Sequence, residues 1–299
     1  MILKKILCAI IILSVSTTMA FGALYSDMQL GVRSSAMGSS FVSVARDADA
    51  VYWNPAALAL TKKSNVSFMY SDVYNEGINQ SYLSYAQPLD ALGLGASWLR
   101  HSADLEEGFG ATKKTNSWVD DMYTLAAGIK AKKDLYAGLS VKRFKVKTDR
   151  TNADNVGTSG TGFDVSILMT NLVKNENSPI TETSLGFMVR NLATDLSGEN
   201  VDPSYKLGLS TKIYDDFLFA AGLDLDRDNE DLSDKIRVNL GAEYNYNNTL
   251  FLRLGLNDGD FTTGFGIVIK DRLSLDYAFE KGLGDFDKDN HRFSLGFWF

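Results

Sequence analysis

The sequence predicts an all-β fold: a 14-stranded antiparallel transmembrane β-barrel with a short helical N-terminal plug, or hatch, in its lumen. Three observations predict it. An apolar leader of signal-peptide type stands at the N-terminus. The body of the chain breaks into segments of about ten residues in which apolar and polar residues alternate. The last segment, HRFSLGFWF, carries the same alternation to a terminal aromatic residue.

The leader comes first. Lys4 and Lys5 precede an apolar run from Ile6 to Val15, and Ser16, Thr17, Thr18 and Ala20 follow. A basic start, a short apolar core and small residues make a secretory signal peptide. The core is about ten residues, half the roughly 20 that a spanning helix needs. Cleavage is expected after Ala20 or Gly22, so residues 1–22 form the signal peptide. Cys8 sits near the start of the apolar core, the wrong place for lipid attachment. Removing 22 of the 299 residues leaves 277, and loss of Lys4 and Lys5 takes the net charge from −7 to −9. The mature chain then holds no cysteine, which excludes disulfides and thiol chemistry. Its acidic balance and lack of a basic stripe argue against nucleic-acid binding.

Residues 23–63 do not alternate and are assigned to the plug. Gly31, Ser34, Ser35, Gly38 and Ser39 make a compact, small-residue chain. In Trp53-Asn54-Pro55-Ala56-Ala57-Leu58, Asn54 is suited to cap a helix whose first position is Pro55. Asp47 and Asp49 are placed to open a short helix over Ala48 to Tyr52. Short helices and turns of a size to fit a narrow lumen are expected.

Residues 64–299 are assigned to the barrel. Leu250, Leu252, Leu254 and Leu256 fall on one face, and Phe251, Arg253, Gly255 and Asn257 on the other. Ile236 to Tyr246 and Arg272 to Glu280 repeat the pattern. Fourteen strands follow: 64 to 74, 78 to 87, 91 to 101, 119 to 131, 134 to 147, 160 to 171, 181 to 191, 204 to 214, 216 to 226, 235 to 246, 248 to 257, 261 to 270, 271 to 280 and 291 to 299. An even count suits a single-chain bacterial barrel with both ends on the periplasmic side.

The connections give an independent check. Tight polar turns are expected at 87–90, 132–134, 215–216, 247–248 and 270–271, alternating with longer polar loops at 102–118, 148–159, 192–203, 227–234 and 281–290. The connection at 172–180 is long for the turn side. Those near Asn75 and Gly259 are short for the loop side. A soluble β-sandwich or propeller would also alternate. Against it stand the aromatics near strand ends, Tyr214, Phe217, Tyr244, Tyr246 and Phe251, which suit interfacial girdles. The last strand, with Phe293, Leu295, Phe297 and Phe299 on one face, resembles the C-terminal signature that barrel-assembly machinery recognises in outer-membrane proteins.

The run GVRSSAMGSSFVSVARDADAVYWNPAALAL, over about residues 31 to 60, resembles the N-terminal signature of the FadL-type and PorV/PorQ-type outer-membrane proteins and their uncharacterised relatives. Its elements occur in order: a GxRxxxMG run, an acidic-Ala stretch, an aromatic and Asn-Pro-Ala. The resemblance implies a hatch inside a fourteen-stranded barrel, with Trp53, Asn54, Pro55, Ala56 and Gly38 in its plug or gate. It implies uptake of hydrophobic small molecules such as long-chain fatty acids across the bacterial outer membrane. The alternative it implies is a PorV-like partner or scaffold for protein secretion and surface assembly. A large apolar lumen pocket under the plug would favour transport; a packed lumen with an exposed patch on the outer loops would favour the partner role. The chain is much shorter than the fatty-acid transporters and its outer loops lack their long apolar insertions. Outer-membrane lipid, a hydrophobic ligand, the assembly machinery and, on the alternative, secretion-system proteins are the expected partners.

No catalytic residue, cofactor or metal is expected. His101 precedes Ser102, but nothing in the spacing supplies a base and an orienting group in convergent geometry. Asp224, Asp226 and Asp228, like Asp285, Asp287 and Asp289, resemble the start of a calcium loop. Their sixth positions are Asn229 and Asn290 instead of Gly, and their twelfth are Lys235 and Gly296 instead of Glu. They read as solvated charge in or beside loops. Gly93 and Gly95 fall in the third strand, where FadL-type walls have their gap, and are candidates for a lateral opening. The competing reading is that wall glycines make room for the plug.

Overall fold

Along Leu250–Asn257 the side chains divide by parity. Leu252, Leu254 and Leu256 are 48%, 55% and 40% exposed, whereas Arg253 is 4% exposed and Gly255 and Asn257 are buried with it. Extended backbone sends successive side chains to opposite faces, so the outside is apolar and the inside polar. Burial in water would favour the reverse. This is the division of a wall that meets lipid on its outer side, where backbone groups must find their partners within the protein.

The computed structural model describes residues 28–73, 77–107, 114–148, 158–173, 178–196, 199–227, 234–282 and 289–299. The expected signal peptide lies outside the described residues. The strands are β1 (Asn65–Val73), β2 (Ile78–Leu89), β3 (Leu92–Glu107), β4 (Lys114–Lys132), β5 (Leu135–Thr148), β6 (Thr158–Met169), β7 (Ile180–Leu196) and β8 (Glu199–Val201). They continue with β9 (Ser204–Ile213), β10 (Phe217–Arg227), β11 (Asp234–Tyr246), β12 (Leu250–Asn257), β13 (Asp260–Ile269), β14 (Leu273–Glu280) and β15 (Asn290–Trp298).

Fourteen of them form a closed antiparallel ring. Each pairs with its neighbour, β7 passes to β9, and β1 pairs with β15 from Asn65↔Trp298 to Asp72↔His291. The three-residue β8 folds back on the end of β7. All fourteen expected strands are present. Their inner boundaries agree within a few residues, but three outer ends do not. β3 runs on to Glu107, β4 begins at Lys114 and β7 reaches Leu196, so the stretches 102–118 and 192–203 are in part strand and not loop. Alternation marks only the part of a strand that touches lipid. Past that level the β3–β4 ladder continues on backbone hydrogen bonds, from Ser102↔Val119 to Glu107↔Lys114, with no apolar face to betray it.

The tight turns lie at one end, with Asp90, Asp134, Asp215, Asn247, Asn248 and Asp271 in left-handed conformations that Asp and Asn tolerate. Aromatics gather there: Phe217 stacks on Tyr244 with centroids 4.9 Å apart, and Phe299 on Tyr85 at 6.3 Å. The buried core is formed by plug residues from Met28 to Leu58, which fill the middle of the ring, together with inward wall residues such as Met69, Tyr82, Leu99, Phe144 and Met188.

Candidate functional site

The plug is built from three short pieces: α1 (Val32–Ala36), α2 (Ala50–Trp53) and a 3₁₀ helix, η1 (Pro55–Leu60). Asn54 joins the last two. Its Oδ1 accepts the Ala56 N–H at 3.1 Å, its Nδ2 donates to the Val42 carbonyl at 2.7 Å, and Pro55 occupies the first helical position. This is the expected cap, though the helix it opens is 3₁₀. The Ala56 N–H also reaches Ser166 Oγ on β6 at 3.0 Å, so the same peptide is tied to the wall.

Trp53 is 2% exposed. Its Nε1 donates to the Leu30 carbonyl at 2.6 Å, and its ring meets Phe41 and Tyr52 edge-on at 6.0 and 5.3 Å. Gly38 has φ 59°, and a side chain there would stand 2.4 Å from the Leu256 carbonyl oxygen. Both its left-handed backbone and its approach to β11 and β12 require glycine.

Wall glycines meet the plug on several strands. A Cβ on Gly93 would lie 2.1 Å from the Leu58 carbonyl oxygen, on Gly128 2.3 Å from that of Pro55, on Gly138 2.1 Å from Ala56 N, and on Gly255 2.2 Å from Gly38 N. Many pair with one another across strands, as in Gly93↔Gly128, Gly128↔Gly138 and Gly241↔Gly255. Bare backbone is what lets a second backbone approach so closely. Gly95, beside Val51, belongs to the same seat, and at Gly93 and Gly95 the ladder is continuous with both β2 and β4.

On β7, β11, β12 and β14 the plug is also held by charge and hydrogen bonds. Arg33 donates through Nε and Nη2 to the two oxygens of Glu243 at 2.8 and 2.7 Å. Glu243 also accepts from Arg253 at 2.7 Å, and Arg253 reaches Asp276 at 2.6 Å. Arg46 bonds Glu182 at 3.0 Å, and Gln29 bonds Glu280 at 2.7 Å. Within the plug, Asp49 accepts from Ser84 at 3.1 Å. Burial, and then the charge of neighbouring Asp47, push its carboxyl well above the ordinary carboxylate range.

Towards the long-loop end the lumen carries further buried pairs: Lys142 with Asp164 and Lys206 with Asp224 at 2.6 Å each, and Arg292 with Glu280 at 2.9 Å. This corrects the reading of the acidic cluster at 224–228 as solvated loop charge. Asp224 and Asp226 face the lumen near the end of β10 and pair with Lys206 and Arg237, because even-numbered positions of β10 point inward. Asp228, Asp285 and Asp287 lie outside the described residues. His101 is buried inside, against Gln80 at 2.9 Å and Asp120 at 3.9 Å. Ser102 points to the other face of β3, so the two cannot act together.

Three cavities lie between the plug and the turn end. A vestibule of about 660 Å³ is lined by Arg46, Lys62, Lys63, Lys212, Phe251 and Trp298 among others. Cavities of about 190 and 160 Å³ share lining residues with it, and both reach Arg33. An apolar hollow of about 630 Å³ lies instead on the outer wall, floored by Ala221 and Ala242 between Leu209, Phe219, Leu240 and Leu254. At the level of the plug and its buried ion pairs the lumen is filled and charged, with open volume on the turn side. Arg33, Arg46, Glu182, Glu243, Arg253 and Glu280 were not singled out from the sequence. For Glu182, Glu243, Arg253 and Glu280 the signal was charge on the polar face of lipid-facing strands, where an unpaired charge is costly and a partner is required; Arg33 and Arg46 lie in the plug, where no such periodicity marks them.

No protein-family model matches the sequence, and no curated protein matches it. Solved structures do. The Pseudomonas putida toluene transporter TodX superposes with a TM-score of 0.63 at 15% identity, over 91% of this chain and 97% of that one. The fold is that of the FadL-type channels. The monoaromatic hydrocarbon channel CymD matches the same FadL-type fold with a TM-score of 0.67 at 14% identity, over 90% and 97% of the two chains. A Pseudomonas aeruginosa FadL homologue matches with 0.58 at 10%, over 91% and 98%. These likenesses bear on the FadL side of the resemblance and not on its PorV side.

Proposed function

We propose that this chain is an outer-membrane channel for hydrophobic small molecules, exported with cleavage of residues 1–22, in which the plug, residues 23–63, is the movable element. The observation that carries the reading is a helical plug seated in a closed fourteen-strand wall, apolar outside, with the fold of a toluene transporter and a monoaromatic hydrocarbon channel. Trp53, Asn54, Pro55, Ala56 and Gly38 then set the resting position of the gate. Phe293, Leu295, Phe297 and Phe299 serve barrel assembly. A sideways exit at Gly93 and Gly95 requires the plug to leave first, since Val51 and Leu58 occupy that space.

The packed, charged lumen favours a second reading, the PorV-like partner for secretion or surface assembly. Mass spectrometry of hydrophobes that co-purify with the detergent-extracted chain separates the two, repeated on Asn54→Ala and Pro55→Gly. Retained fatty acids or aromatic hydrocarbons whose amount changes in the variants are expected. A ligand-free barrel that brings a protein with it overturns transport.

A further inference from the structure

The outer face of the barrel changes character on one side. Along β5 the outward residues run Leu139, Val141, Arg143, Lys145, Lys147, so the apolar belt stops at mid-strand and a basic run takes over towards the long-loop end. On β4 the outward series passes from Leu125 through Tyr123 to Asp121, and on β3 from Leu94 through Trp98 to Arg100. Among the described strand side chains that face outward, apart from lysines beside turns, the cations are Arg100, Arg143, Lys145 and Lys147.

These side chains are held spread over the wall. Arg100 donates to Asp121 at 2.8 and 2.9 Å, and Asp121 also accepts a hydrogen bond from Trp98 Nε1 at 2.8 Å. Arg143 rests on neutral hydroxyls, donating to Thr161 at 3.0 Å and Ser159 at 2.9 Å. The Lys145 ammonium lies over the Tyr123 ring at 5.6 Å. The only other described outward carboxylate on β3–β5 is Asp104, which leaves the patch positive. Alternate residues on a strand face sit roughly 6.6 Å apart, so Arg143, Lys145 and Lys147 span on the order of 13 Å.

We propose that this face of β3–β5 binds the phosphates of an anionic lipid headgroup in the leaflet at the long-loop end. The proposal rests on the membrane reading, not on the choice between transport and scaffold. Basic side chains at the edge of an apolar belt, flanked by Trp and Tyr, lie where headgroups meet acyl chains. Arginine and lysine recognise phosphate there by charge-assisted hydrogen bonds. An acidic protein whose described outward cations, apart from lysines beside turns, gather on three adjacent strands has a surface complementary to phosphate.

The test is native mass spectrometry of the full chain in lipid nanodiscs. The probes are a diphosphorylated disaccharide lipid, the same lipid without its phosphates, and phosphatidylethanolamine. The wild type is expected to retain the phosphorylated lipid selectively. The triple variant R143Q/K145Q/K147Q is expected to lose on the order of a hundredfold of that retention, and K147Q alone about fivefold. K62Q/K63Q, at the other end, is expected to leave it unchanged. Heat-modifiable migration on a gel verifies that each variant is folded. Equal retention by wild type and triple variant, or of the lipid with and without phosphate, overturns the site alone. Failure of the wild type to insert overturns the membrane reading and the site with it.

Discussion

Wall glycines seat the plug on both sides, Gly93, Gly128 and Gly138 on one and Gly241 and Gly255 on the other, but the second side adds an ionic tie. Against β3, β4 and β5 the 3₁₀ helix Pro55–Leu60 sits on Gly93, Gly128 and Gly138, backbone on backbone. Against β11, β12 and β14 the segment around α1 is tied through Arg33, Glu243, Arg253 and Asp276. A steric seat sets position and tolerates no added volume. An ionic latch tolerates small shifts and responds to charge, and its Arg33 borders cavities that share lining with the turn-side vestibule.

Breaking the seat should have the largest effect. Gly138→Val places atoms where Ala56 N already stands. A clash with backbone has no flexible side chain to yield, so the cost should exceed the roughly 1–3 kcal/mol of ordinary overpacking. Loss of hydrogen-exchange protection throughout residues 50–60, with the barrel retained, is the expected result. Protection equal to wild type would show that the seat is not rigid.

Breaking the latch should cost less. Arg33→Gln removes the bidentate partner of Glu243, but Arg253 remains to neutralise that carboxylate. Because Arg33 is a quarter exposed, a loss of about 2 kcal/mol is expected, below the 3–5 kcal/mol of a fully buried broken pair. Planar-bilayer recording should show new ion conductance in Arg33→Gln and none in the wild type. The comparison fails if Arg33→Gln is silent while a conservative change at the seat conducts.

The smallest effect concerns pH and sharpens the contrast further. Burial, and then the charge of Asp47, raise the Asp49 carboxyl well above its ordinary range, so its seated form binds a proton more tightly than the released form does. Stability of the seated plug should be full below the ordinary carboxylate range. It should fall as pH rises through that range towards the raised value. Protection of residues 47–53, corrected for intrinsic exchange, should follow this slope, and Asp49→Asn should flatten it. A slope that survives Asp49→Asn would point to Asp47 instead.

Much of the wall was legible in advance, and for one reason. Lipid on one side and a polar lumen on the other impose a two-residue period that Leu250–Asn257 or Leu273–Glu280 displays without help from any other part of the chain. The cap at Asn54-Pro55 was legible because it is local, closed by an N–H two residues away. The outer hairpin of β3 and β4 was not, since a ladder in water needs no apolar face. Nor was the latch, whose partners Arg33 and Glu243 are 210 residues apart. Nor could the sequence show that Leu58 and Val51 of the plug stand against Gly93 and Gly95, contacts made across the lumen.

The sequence by itself determined the periodic and the local: strand number, which face meets lipid, and the short capped turns of residues 31–60. Tertiary structure alone decided which charges meet, which glycines face one another across strands, and how tightly the plug fills the lumen. Those depend on closing the ring, which brings β1 beside β15 and sets each inward side chain against a plug encoded far away. Periodicity records the solvent that each face of a strand sees. It carries no information about the partner waiting on the other side of the lumen.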